Sequence, residues 1–126
     1  MVHFVLSQKL KNGPRLTVRF YCQEGSGVEP VRDWIRSLPD DERKVVGEDI
    51  KAVQYGWPLG LPLVDHVDGG VWEVRSKLKS RIARVLFAVE GTLMILLHGF
   101  IKKTEKTPRH DIVLAKDRLK KMRGAQ

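Results

Sequence analysis

"RIARVLFAVEGTLMILLHGFI", residues 81–101, decides the fold. Two apolar runs rich in β-formers flank "VEGT", residues 89–92, which has the turn chemistry of a hairpin. Just upstream, "GVWEVRSKL", residues 70–78, alternates: Val71, Glu73, Arg75 and Lys77 fall on one side, Trp72, Val74 and Leu78 nearer the other, with Ser76 interrupting the apolar set. Three strands in direct succession predict an antiparallel meander.

Working outward, "LTVRFYC", residues 16–22, alternates through Leu16, Val18 and Phe20 and reads as a first strand. "EGSGVEP" breaks that pattern, and Pro30 can occupy the first turn of a helix, where a missing amide breaks no intrahelical bond. Val31, Trp34, Ile35 and Leu38 then share one face. A second helix is expected over "LPDDERKVVGEDIKAVQYG", with Asp40 or Asp41 as N-cap, Val45, Val46, Ile50 and Val53 facing a core, and Gly56 as its stop. Gly47 inside it either costs ~1 kcal/mol relative to alanine or marks a close packing contact. "WPLGLPLVDHVDGG", residues 57–70, reads as an irregular connection because of its prolines and glycines. A last helix follows the sheet from Pro108, with Thr107 as candidate N-cap and Ile112, Ala115 and Leu119 on its apolar face.

The expected architecture is α+β: a small antiparallel sheet assembled as strand, two helices, three-stranded meander and C-terminal helix. At 126 residues, 42% hydrophobic and 30% charged, the chain fits a single domain over residues 1–126. No apolar run approaches the roughly 18 residues of a membrane span, and "MVHFVLSQKLKNG" lacks the basic flank and cleavage site of a secretory leader. A cytoplasmic protein with no membrane partner is expected. Cys22 is the single cysteine, which excludes an intrachain disulfide and argues against a cysteine-built zinc site.

The charge is unevenly placed. Residues 1–70 hold 9 Lys and Arg against 10 Asp and Glu, whereas residues 71–126 hold 14 against 5, so the halves carry −1 and +9 of the chain's net +8. A one-sided basic surface attracts polyanions, and in the cytoplasm the commonest polyanion is nucleic acid. The glycine-rich phosphate loops, the GxSxG elbow, HExxH and the EF-hand loop are all missing from the sequence. "DHVD", residues 65–68, brings His66 close to Asp65 and Asp68. A metal reading is set aside there, since short Asp-rich turns more often bond their own backbone; no metal or other cofactor is expected.

What remains is a basic set: Arg75, Lys77, Lys79, Arg81 and Arg84 on the meander, then Lys102, Lys103, Lys106 and Arg109 where the sheet hands over to the last helix. Arg84 interrupts an apolar run, so it is either a strand's solvent-side residue or a charge aimed into a cleft. Phosphate chemistry is the natural use of such a cluster. Cleaving RNA by attack of the 2′-OH on the adjacent phosphorus needs a base, stabilisation of the phosphorane and an acid for the leaving 5′-oxygen. Arginine is a poor proton shuttle, which leaves proton transfer to a lysine or to His110.

"VWEVRSKL", "RIARVLFAVEG" and "LLHGFIKKTEKTPRHDIVLAKDRL" together resemble the Gp49-like, HigB-type branch of the RelE/ParE toxin superfamily, in order over roughly residues 16–122. The strand-end motif "HGFIKKTEKTP" carries most of the likeness. The resemblance implies a RelE-like fold and a ribosome-dependent messenger-RNA endonuclease of a type II toxin–antitoxin system, with mRNA, the ribosome and a helix-turn-helix antitoxin as partners. By motif position it carries over Arg84, Arg75, Lys102, Lys103 and Lys106 as the catalytic set, with Arg84 contacting the scissile phosphate. Lys77, Lys79, Arg81, Arg109 and His110 are weaker, RNA-binding candidates. On this reading an Arg84→Ala chain loses toxicity and keeps its fold. The superfamily also contains inhibitors of DNA gyrase, so a non-enzymatic toxin or nucleic-acid-binding protein of the same fold is the alternative. Codon preference and oligomeric state are not legible, and neither tyrosine falls on the meander to stack a base.

Overall fold

A computed structural model describes residues 13–124. The N-terminal stretch read for a leader, and His3 within it, lie outside the described residues except for Gly13. The elements run β1 (Thr17–Phe20), α1 (Pro30–Ser37), α2 (Asp40–Gly56), β2 (Val64–Asp68), β3 (Val71–Lys77), β4 (Ile82–Glu90), β5 (Leu93–Ile101) and α3 (Arg109–Gly124). They form one five-stranded sheet in the order β1-β5-β4-β3-β2.

The α+β class and the meander hold, with two corrections to the expected sheet. First, it is mixed: β1 runs parallel to β5, with Thr17 opposite Leu93 and Phe20 opposite Leu96. The two helices after β1 reverse the chain and let β1 lie beside the last strand. Second, the supposed connection contains β2, which pairs antiparallel with β3 through Val64 opposite Val74 and His66 opposite Trp72. As an edge strand it needs few apolar anchors, here the buried Val64 on one face and the partly buried Val67 on the other, so its polar sequence hid it.

Helices cover both faces. Against α1 and α2 lies a core of Val31, Val46, Val53, Val85, Phe87, Met94 and Leu96, edged by Trp57, whose ring meets Trp72 and Phe87 edge-on at 5.2 and 5.7 Å. Against α3, Ala115 and Leu119 pack on Val71, Leu86, Ala88, Ile95 and Leu97. The helix faces are those the periodicity predicts. Pro30 opens α1 as expected, whereas Pro39 is the cap position of α2 and Asp40, Asp41 and Glu42 fill its first turn with no side-chain cap bond. Their charge still suits the positive end of the helix dipole. Gly47 has open space where a Cβ would point, so it marks no packing contact.

A bulge in β5 decides which side chains face α3. Leu86 lies opposite His98 while Phe87 lies opposite Leu96, leaving Leu97 as an extra residue. The bulge shifts the alternation, so His98 and Phe100 join Leu97 on the α3 face and Gly99 turns to the other. Trp34 of α1 closes on Gly99 so tightly that a Cβ there would lie 2.3 Å from the indole.

Candidate functional site

Strand register places Arg84 opposite both Arg75 on β3 and Phe100 on β5. Two arginines side by side need a counter-charge, and Glu73 supplies it. Its Oε2 is 3.6 Å from Arg84 Nη1 and its Oε1 4.0 Å from Arg75 Nε. Arg84 also donates from Nη1 to Thr107 Oγ1 at 2.6 Å and from Nη2 to the carbonyl of Glu105 at 2.8 Å. The Thr107 hydroxyl in turn donates to Glu73 Oε2 at 2.8 Å. Within this guanidinium only the buried Nε lacks an acceptor.

Arg84 and Glu73 are 2% and 3% exposed, so Arg84 is no solvent-side residue of its strand. Its guanidinium is held by the segment 105–107 and reaches the surface only in a cleft beside that segment. Thr107 does not cap α3: its one hydroxyl is committed to Arg84 and Glu73. Buried ions of this kind hold a fold mainly because removing one leaves the other uncompensated. Arg84 therefore ties the lysine-bearing turn to the sheet, and its loss bears on stability as well as activity.

That turn shapes two adjoining hollows. The first is a cleft of about 300 Å³ with Arg84 and Glu73 at its floor and Arg75, His66 and Lys106 around it. The second is an open basin of about 700 Å³, formed by the β3–β4 turn, residues 77–82, and by residues 102–105. Glu105 lines both. Lys77, Lys79, Lys102 and Lys103 thus face one basin: the first pair precedes β4 and the second follows β5, and the pairing of Ala83 with Ile101 brings both to the open end of that hairpin. Lys102 Nζ is 3.9 Å from the Glu105 carboxylate, which is itself 97% exposed, so the contact is weak. Lys77, Lys79, Lys103 and Lys106 have no carboxylate within ion-pair distance among the described residues.

The other candidates are placed elsewhere. Arg81 lines the basin, but its guanidinium is clamped by Glu42 of α2 through Nε at 3.0 Å and Nη2 at 2.5 Å, which raises its pKa. Arg109 and Lys116 both reach Asp68 Oδ2, at 3.1 and 3.3 Å, anchoring α3 to the β2–β3 turn and holding that carboxyl below its usual range, Lys116 more than Arg109. His110 is 82% exposed and 3.3 Å from Asp111 Oδ2. In the segment weighed as a metal site, His66 Nε2 lies 2.6 Å from the Gly69 carbonyl. Among the described residues no three His, Cys, Asp or Glu side chains gather as metal ligands would.

Sequence reasoning missed Glu73 and Thr107, which complete the Arg84 network. It also missed the part-buried pair His98–Asp111, 2.7 Å apart, which docks the start of α3 on β5. Burial pushes the His98 pKa down, against the opposing pull of Asp111. Glu73 carried a usable signal: it shares the parity of Arg75 among the apolar residues that open β3, where an interrupting arginine on the next strand needs a carboxylate.

The chain belongs to the phage-derived Gp49-like protein family (DUF891), whose family model matches residues 33–120, a span that includes both hollows. Membership is consistent with a RelE/HigB-type toxin, and such a toxin implies an antitoxin partner. No curated protein matches the chain. No helix among the described residues is long and apolar enough to cross a membrane.

Proposed function

We propose that the chain is a ribosome-dependent mRNA endonuclease, the toxin of a type II system, neutralised by a helix-turn-helix antitoxin that covers or distorts the basic face. The observation that carries this reading is the basin in which Lys77, Lys79, Lys102 and Lys103 converge with almost no opposing acid. Surface lysines of most folds are interspersed with carboxylates; a hollow rimmed by four ammonium groups with a single weak carboxylate contact suits an anionic strand.

In the proposed reaction the 2′-OH attacks the adjacent phosphorus, the P–O5′ bond breaks, and the products are a 2′,3′-cyclic phosphate and a 5′-hydroxyl. Lys102 and Lys103 hold the phosphate and stabilise the phosphorane, with Arg75 and Lys106 at the neighbouring cleft. The proton leaving the 2′-OH and the one reaching the 5′-oxygen pass through a lysine of the 102–106 group or through His110. Arg84 acts as a positioning residue, fixing the 105–107 segment that carries Lys106. The ribosome orients the message.

Inducing the chain in cells and mapping transcript ends tests this. New 5′ ends within codons of translated messages are expected, and they disappear when translation is blocked. A second reading, a non-enzymatic inhibitor acting on DNA gyrase, draws on the same basin, because binding a polyanion needs the charge and no acid–base pair. DNA breaks without new transcript ends favour it and overturn the endonuclease.

A further inference from the structure

Beyond the end of β1 the sheet has an open edge. β1 takes up the edge of β5 only as far as Leu96, whose carbonyl accepts from the Tyr21 amide at 2.9 Å. Arg118 Nη1 occupies the carbonyl of Leu97 at 2.8 Å. Past that point Gly99, Phe100 and Ile101 line a hollow of about 480 Å³. Trp34 of α1 forms one side of it; Pro108, His110 and Asp111 at the head of α3 form the other. Lys103 lines this hollow and the basic basin alike, so the two adjoin at that side chain.

The aromatic walls are held in place. Trp34 is seated by the missing Cβ of Gly99. Phe100 is stacked on His98, with ring centroids 5.3 Å apart and planes 22° from parallel, and His98 is fixed by Asp111 at 2.7 Å. Rigid aromatic faces beside a cationic groove are what single-stranded nucleic acid uses: phosphates follow the charge and bases stack on the rings.

We propose that this hollow is a nucleobase subsite, in which one base of a single-stranded RNA whose phosphate lies in the basin packs against Trp34 and Phe100, with His110 at its rim. The inference rests on the RNA reading above and adds where a base is read. An added strand from a protein fits the edge less well. Arg118 already fills the Leu97 carbonyl, Trp34 closes over Gly99, and the remaining edge is only a few residues long.

The test uses the full chain and a short RNA made uncleavable by 2′-deoxy substitution, with each nucleotide in turn made abasic. Removing the base at one position is expected to weaken binding about tenfold, with smaller effects elsewhere. Phe100→Ala weakens binding of the intact RNA by a similar factor and no longer responds to that abasic position. His110→Ala, at an exposed side chain, gives the same coupling in smaller measure without risk to the fold. Lys103→Ala weakens both RNAs equally. Equal binding of intact and abasic RNAs overturns the inference, even if translated messages are cut in cells. Loss of abasic sensitivity in the variants sustains the subsite even if no cutting is found. An extended acidic peptide that displaces RNA from the edge while abasic position has no effect assigns the hollow to a protein strand.

Discussion

The cleft and the basin lie on either side of Glu105, and they treat positive charge in opposite ways. In the cleft Arg84 is buried among Glu73, Thr107 and a backbone carbonyl. In the basin Lys77, Lys79 and Lys103 are exposed with no carboxylate at ion-pair distance among the described residues, and the half-buried Lys102 meets only Glu105. The difference separates two uses that look alike in sequence. A cation whose donors are satisfied inside the protein organises the fold, whereas one left unsatisfied at a surface is available to a ligand. Arg84 and Lys103 both count toward the same net charge, yet only the first is paired inside the fold.

The sharpest way to break this contrast is at Glu73. Glu73→Ala strands the Arg84 charge in a dry site and is expected to cost about 3–5 kcal/mol, read as a shift in the urea midpoint. Arg84→Ala is likewise expected to lose stability, in contrast to the intact fold anticipated from sequence. Replacing both together, Glu73→Leu with Arg84→Met, should recover most of the loss, because similar volumes without charge pack well. If Glu73→Ala melts like the parent chain, the cleft is not a structural anchor.

The basin should respond the other way. Lys79→Ala and Lys103→Ala are each expected to leave stability within ~0.5 kcal/mol while weakening RNA binding and lowering its salt slope by about one per lysine. Binding titrations at several salt concentrations beside a thermal melt read both quantities. Unchanged slopes would remove these side chains from the interface.

A smaller effect is expected at His98. Burial depresses its pKa from the ordinary 6.5, outweighing Asp111, and Arg118 and His110 push in the same direction as burial. As pH falls below about 6.5 the unfolded chain takes up this proton before the folded one. Stability from this group is full above that pH and declines as pH drops toward the folded pKa. His98→Gln should flatten that part of the profile. Smallest of all, Gly47→Ala sits in open space within α2 and is expected to stabilise the fold by ~1 kcal/mol or less, with no change in RNA binding.

The same contrast separates the legible parts of the chain from the hidden ones. The meander was legible because each strand is long, apolar and closed by turn chemistry, and the helix faces followed from their period. β2 was not, since an edge strand with only Val64 buried and Val67 partly so leaves little pattern among the glycines and prolines around it. Parity placed Arg75 and Lys77 on one face of β3, but that Arg84 lies opposite Arg75 depends on where the β3–β4 turn closes, with Leu78 bonded to Arg81. The bulge at Leu97 was hidden in "LLHGF", and with it the partnership of His98 and Asp111. Resemblance gathered the basic residues into one set; only the folded chain divides them into those it holds and those it presents.

The parallel pairing of β1 with β5 has a consequence for synthesis. Leu16 to Tyr21 emerge early, yet their dock, Leu93 to Leu96, is among the last parts of the sheet to be made. The basin likewise needs Lys102 and Lys103, and the Arg84 anchor needs Thr107. Until the segment through Thr107 has been made, the chain therefore holds neither a closed sheet nor a gathered cationic surface.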